Sequence, residues 1–275
     1  MKNIVMLAFL AFSFVQYCKA QAKLKGNGEV VTVSEEIRKN FDQLEISDNL
    51  VVELSQGSRN SYTLSTDENL VDAVEITVEA NTLKIRTNKK ITGSKELKIQ
   101  LEVKKLKHVQ LKDDARLQTN ETLKVDDMGI DANNSAKFDL EIEASGNLRL
   151  VMYKNSGGKL KVKSKHAEIE MHDRTDLKAD SESNELKVSM ENSAELQLDG
   201  KADHAEYRLE SSSALKARKM KTRIAEIFSR NRSDIYVHAS KKLEVTAEGK
   251  SQVYVYGHPD IELKGLTDSS RIIKK

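Results

Sequence analysis

Two pairs of neighbouring carboxylates, Asp113-Asp114 and Asp126-Asp127, are the first candidates for chemistry. Carboxylates bind calcium or cleave glycosidic bonds when two or three of them converge on one face. Neighbours on a strand point to opposite faces, so these pairs converge only if each lies in a turn. Turns also hold solvated aspartates for purely structural reasons. The six histidines are His108, His166, His172, His204, His238 and His258. None has metal-ligand spacing to another histidine or to a cysteine, so no metal is expected and each reads as a surface residue. There is no Gly-x-Ser-x-Gly elbow, phosphate loop or nucleotide fingerprint, so no cofactor is expected. Three matches to the N-glycosylation pattern, at Asn120, Asn133 and Asn231, read as chance.

A binding surface is a better candidate than a catalytic one. Tyr236 and His238 share one face of a strand, as do Tyr254 and Tyr256 eighteen residues later. If the two strands stack in register, Tyr236 meets Tyr254 and His238 meets Tyr256. Lys216 and Arg218 hold the same places one repeat earlier, and Ile273 and Lys275 one repeat later. Aromatic platforms with polar tips suit a sugar or a protein partner. Stacked rings also stabilise a sheet simply as neighbours. The chain has no Trp, which weighs against a dedicated sugar site.

The element that would align these residues is a repeat of about nineteen residues. Its marks are small residues at Ala115, Ala136, Ser156, Thr175, Ala194, Ser213, Ser233, Ser251 and Ser270. Aliphatic residues follow at alternate positions, as in Leu196 and Leu198 or Val253 and Val255. Another apolar residue comes four positions before most marks, as at Leu111, Met171, Met190 and Leu209. The Ser156 copy is weaker, with Gly157 and Gly158 ahead of Leu160 and Val162. A fixed period of this size means a solenoid, and alternation within each copy means strands. The prediction is an all-β parallel β-helix of about nine coils over 109–275. With strands about 4.8 Å apart it would be roughly 40 Å long. Small residues should line a tight bend, their hydroxyls bonded to backbone carbonyls or to each other.

Residues 21–108 lack the period and should form a β-rich cap, continuous with the coils in one domain. Leu44 and Ile46 alternate, then Leu50, Val52 and Leu54. Asp67-Glu68-Asn69-Leu70 reads as one helical turn, and residues 79–82 as the turn of a hairpin. Leu97, Ile99, Leu101 and Val103 form the clearest amphipathic strand. A solenoid end exposes a strand edge that invites aggregation, so it needs covering.

Residues 1–20 read as a secretory signal peptide, with Lys2, the apolar stretch from Ile4 to Val15, and cleavage before Gln21. Tyr17 before Cys18 argues against a lipoprotein. Subtracting Lys2 and Lys19 from the 45 basic residues leaves 43, equal to the 43 acidic ones. A chain of zero net charge has no long-range pull on nucleic acid. Beyond the signal, no segment is apolar enough to span a bilayer, and no cysteine is left for a disulfide.

The order of several segments resembles the family of auto-transporter adhesin "head GIN" domains. Gly26 to Val33 ahead of Phe41-Asp42-Gln43-Leu44-Glu45-Ile46 is similar to its opening. Val51-Val52-Glu53-Leu54-Ser55-Gln56-Gly57 resembles its strand-and-turn signature. Asp67 to Leu70, Asn81 to Ile85 and Leu106 to Val109 resemble its next landmarks. The resemblance implies a right-handed, single-stranded β-helix in an exported protein of the Bacteroidetes type. That family's coils carry glycine-rich turns. Here the turns read Asn134-Ser135-Ala136, Asn192-Ser193-Ala194 and Ser211-Ser212-Ser213, so a glycine-dependent turn geometry is in question while the coil is not.

These observations favour an exported, non-enzymatic, adhesin-like protein of the cell envelope or surface, periplasmic or secreted. Its partner would be a glycan, an envelope component or a protein, and its binding strip would be Lys216, Arg218, Tyr236, His238, Tyr254 and Tyr256. The alternatives are a polysaccharide-active β-helix enzyme and a self-associating structural protein of the envelope.

Overall fold

The computed structural model describes residues 23–275, so the expected signal peptide lies outside the described residues. The predicted solenoid is present. In its middle, each coil is dominated by one long strand: Gly157–Met171, Asp176–Met190, Glu195–Leu209, Ala214–Ser229 and Asp234–Ala247. These strands pair in parallel, so that Leu177, Leu196, Leu215 and Ile235 fall in one column. Alternation within each strand sends one side chain inward and the next outward. The inward residues of all coils join one continuous apolar core. The outward residues form charge ladders between coils: Lys159, Lys161 and Lys163 pair with Asp139, Glu141 and Glu143 at 3.1, 3.0 and 3.3 Å.

All nine repeat-marking residues are buried. Two positions before each of them the backbone is left-handed: Asp113, Asn134, Lys154, Asp173, Asn192, Ser211, Asn231, Gly249 and Asp268. The turn geometry therefore survives the loss of glycine. At seven of the nine the residue is Asn, Asp or Ser, whose short polar side chain can bond the local backbone, Gly249 keeps glycine, and Lys154 is the one long side chain. The hydroxyls of Ser213, Ser233 and Ser251 close the turn by donating to the carbonyl three residues back, at 2.7, 2.8 and 2.9 Å. Ser270 donates to the Gly249 carbonyl at 3.2 Å. The expectation of partnered hydroxyls fails at Ser156 and Thr175, whose oxygens are buried without a partner. In the weak Ser156 copy, Gly158 pairs with Phe138. A β-carbon there would come within 2.7 Å of the Phe138 ring, so the aromatic side chain occupies the volume that an aliphatic residue fills elsewhere.

The N-terminal region contributes two further levels of the stack. Gln43–Ile46 and Val51–Gln56 pair in parallel with His108–Leu111 and Arg116–Thr119. On their far side lie Thr82–Thr87 and Leu97–Val103, the outermost level. The chain thus builds the second level first, leaves, returns as the first level, and then proceeds. The excursion makes the cap. Val74–Glu79 forms the expected hairpin with Thr82–Thr87 around Ala80-Asn81. Ser61–Asp67 lies antiparallel to Leu97–Val103, and Val30–Glu36 lies antiparallel to Ser61–Asp67. Residues Glu68–Ala73 form the expected helical turn, a 3₁₀ helix. The buried Asp67 carboxylate accepts from the backbone N–H groups of Gly28, Lys95 and Glu96. Eleven levels at about 4.8 Å make a stack of roughly 50 Å.

Candidate functional site

The register places the aromatic strip as its spacing implied. Tyr236 pairs with Tyr254 and His238 with Tyr256. The Tyr236 and Tyr254 rings stack with centroids 4.4 Å apart and planes 8° from parallel. The Tyr254 hydroxyl donates to Gln252 Oε1 at 2.8 Å, and Lys275 Nζ lies 5.4 Å from the Tyr254 ring centre. Burial, followed by the neighbouring Tyr254, pushes the Tyr236 phenol above its ordinary pKa. Lys216 pairs with Tyr236, as the repeat requires.

Arg218 sits differently. Ala217 pairs with Val237, but the next pair in register is Lys221 with His238. Arg218, Lys219 and Met220 therefore have no partner on the following coil, while on the preceding coil Lys219 and Met220 pair with Asp199 and Gly200 and Arg218 is the inserted residue. Met220 is fully buried and anchors the bulge, while Arg218 and Lys219 are both exposed. Two adjacent outward cations break the alternation of a regular strand, and bulges re-aim side chains in this way. The bulge and the aromatic strip border a surface groove of about 320 Å³, lined by Gln197, Asp199, Lys216, Arg218, Lys219, Tyr236 and Tyr256. Lys216 reaches Glu195 only at 3.9 Å and Lys219 reaches Asp199 only at 4.0 Å. Arg218 makes no ion pair among the described residues. Sequence reasoning missed Gln197, Asp199 and Lys219. The one available signal was the longer step of twenty residues between Ser213 and Ser233.

The carboxylate pairs do lie in turns. Asp113 and Asp114 line a groove of about 530 Å³ with Asp48, Lys90 and Arg116. Their neighbours give these acids structural duties. Asp113 accepts from Asn134 Nδ2 at 2.8 Å, and Asp48 accepts from both the N–H and the hydroxyl of Thr87. Asp127 accepts from the backbone and side-chain nitrogens of Asn147 at 2.8 and 2.9 Å, tying one coil to the next.

Four histidines pair with acids on an adjacent coil. They are His108 with Asp131, His166 with Glu185, His172 with Glu191 and His204 with Glu226. Among the described residues no group of three His, Cys, Asp or Glu side chains is placed to hold a metal ion. His172 also stacks on Tyr153 at 4.5 Å, a second aromatic pair that the sequence reading did not single out. No helix among the described residues is long and apolar enough to cross a membrane.

These features define a parallel β-solenoid with a capped N-terminal end and a lateral aromatic and cationic surface. The sequence profile of the family described as "Putative auto-transporter adhesin, head GIN domain" matches residues 40–161 and 154–259. The chain belongs to that family. No protein of curated function matches it. Three solved structures share the fold, each covering 92% of this chain. A "putative lipid binding protein" from Parabacteroides distasonis is 22% identical with a TM-score of 0.64, over 99% of its own length. A "putative adhesin" from Parabacteroides merdae is 20% identical with a TM-score of 0.62, also over 99%. Another "putative adhesin" from Parabacteroides distasonis is 16% identical with a TM-score of 0.69, over its full length. The family and these neighbours are described as adhesins or a lipid-binding protein, and none as an enzyme.

Proposed function

We propose that this protein is an exported, adhesin-like binding protein of the cell envelope or surface that performs no catalytic step. The observation that carries this reading is the stacked Tyr236–Tyr254 pair beside a groove holding Arg218, which has no ion pair among the described residues. Rigid aromatic rings and an arginine on a fixed sheet make a contact surface at little entropic cost. Family membership supports the same reading. One carboxylate of each candidate pair, Asp113 and Asp127, is occupied in holding turns and coils together, which favours binding over hydrolysis. The test is a glycan array probed with the purified protein, run beside activity assays on acidic polysaccharides. Retention of a glycan without product release is the expected result. Release of shortened oligosaccharides, or no retention of any glycan or envelope fraction, would overturn the proposal.

A further inference from the structure

We infer that the groove at the bulge is a subsite for an acidic sugar unit, a hexuronate or a sulfated hexose within a glycan chain. This rests on the binding reading above and names its ligand class. Three independent features converge there. The first is charge. Lys216, Arg218 and Lys219 share the groove lining with one acid, Asp199, and a second acid, Glu195, stands 3.9 Å from Lys216 outside it, so cations outnumber acids there in a chain whose charges otherwise nearly balance. The bulge creates this excess by turning two successive residues outward, which a regular strand cannot do.

The second feature is the donor geometry. Arg218 is exposed and unpaired among the described residues, and its planar guanidinium presents a fork that matches a carboxylate or a sulfate. Asp199 and the Gln197 amide on the neighbouring coil offer partners to sugar hydroxyls. The third feature is the wall. Tyr236 and Tyr256 line the groove, and Tyr236 is backed by its stack on Tyr254. A tyrosine ring gives the C–H face of a sugar an apolar surface while its hydroxyl remains wet. The volume of about 320 Å³ is at the small end for ligand sites, which suits one sugar unit of a longer chain. The groove lies on the side of the solenoid, and the cap strands pair at the opposite end of the stack. A glycan could therefore extend beyond the subsite in either direction.

The experiment is calorimetric titration of the purified protein with a galacturonate tetrasaccharide, a sulfated galactan oligosaccharide of similar length, and the neutral galactan counterpart. The expected result is binding of at least one acidic oligosaccharide, weakening as salt rises. The neutral counterpart should bind at least about tenfold more weakly. Arg218→Ala and Tyr256→Ala should each weaken acidic binding by about tenfold or more, with melting temperatures close to wild type. Preference for one acidic arm identifies the uronate or the sulfate as the source of charge. Equal affinity for the neutral oligosaccharide, or acidic binding that neither variant changes, would overturn the inference. Absence of binding to both acidic probes would also overturn it. If the array retains only neutral glycans, the adhesin-like reading survives and this subsite does not. If neither a glycan nor an envelope fraction is retained, both fall.

Discussion

Truncating Leu196 to Ala probes the way the stack is held together. Leu196 is 1% exposed and lies between Leu177 and Leu215 on the coils either side. Those neighbours are anchored by their own ladders, so the site cannot collapse around a missing side chain. The loss should be about 3–4 kcal/mol, within the range for a buried leucine that leaves a cavity. Ile272 is the internal comparison. It continues the same column in the last coil, is only partly buried, and has Val253 on one side alone. Ile272→Ala should therefore cost about 1–2 kcal/mol. Leu196→Asp should be worse than either, because a carboxylate would be buried without a partner. Urea unfolding followed by circular dichroism gives the three values. Leu196→Ala costing no more than Ile272→Ala, or Leu196→Asp unfolding like wild type, would refute the assigned stacking.

Three further outcomes follow from the interior and from the coil that begins at Ser251. Tyr207 is wholly buried, burial raises its phenol pKa, and its hydroxyl has no partner among the described residues. Tyr207→Phe should be neutral or stabilising by up to about 2 kcal/mol, and a clear loss of stability would reveal an overlooked hydrogen bond. Gly200 has φ of +120°, and a β-carbon there would come within 2.1 Å of the Ser181 carbonyl oxygen. Gly200→Ala should cost more than about 2 kcal/mol in thermal or urea unfolding, and wild-type stability would mean that the two coils are not so close. Glu262 is held down to a pKa of about 2 by Lys242 and then Lys264. Its folded pKa is depressed, so its contribution is complete above the unfolded value of 4.5 and disappears as pH falls through about 2. The Asp260–Leu266 strand should lose amide protection over that window, more weakly in high salt, and unchanged protection from pH 6 to pH 2 would contradict the pairing.

The coils were legible because burial repeats at two scales. Alternation marks strands, and a tight bend admits only small side chains, so Ala194 and Ser213 announce their coils at fixed distance. The level built from Gln43–Ile46 and Val51–Gln56 stayed hidden because Leu50 stands where later coils have Ala, Ser or Thr. The cap excursion also separates it from Ala115 by sixty-five residues, and sequence order cannot show that Thr82–Thr87 lies outside Gln43–Ile46. Gly158 looked like a defect because its compensation, the Phe138 ring, sits on another coil. At the candidate site, the tyrosine stack was readable since both rings occupy equivalent places in successive copies. The bulge was not, because it breaks the alternation from which outward positions are counted. Arg218 was therefore placed beside His238, whereas Lys221 is its partner in register.

Whether the lateral strip is a contact surface is tested most directly by measuring binding and melting temperature on one protein, Tyr254→Ala. Tyr254 is outward and only partly buried, so its removal leaves no core cavity, but it takes away the ring that backs Tyr236. A binding strip predicts that retention of the glycan found on the array weakens by about 1–3 kcal/mol, with the melting temperature nearly unchanged. A melting temperature lowered by the equivalent of up to about 1 kcal/mol, with glycan binding untouched, would show that the stacked rings serve only the sheet and would contradict the account.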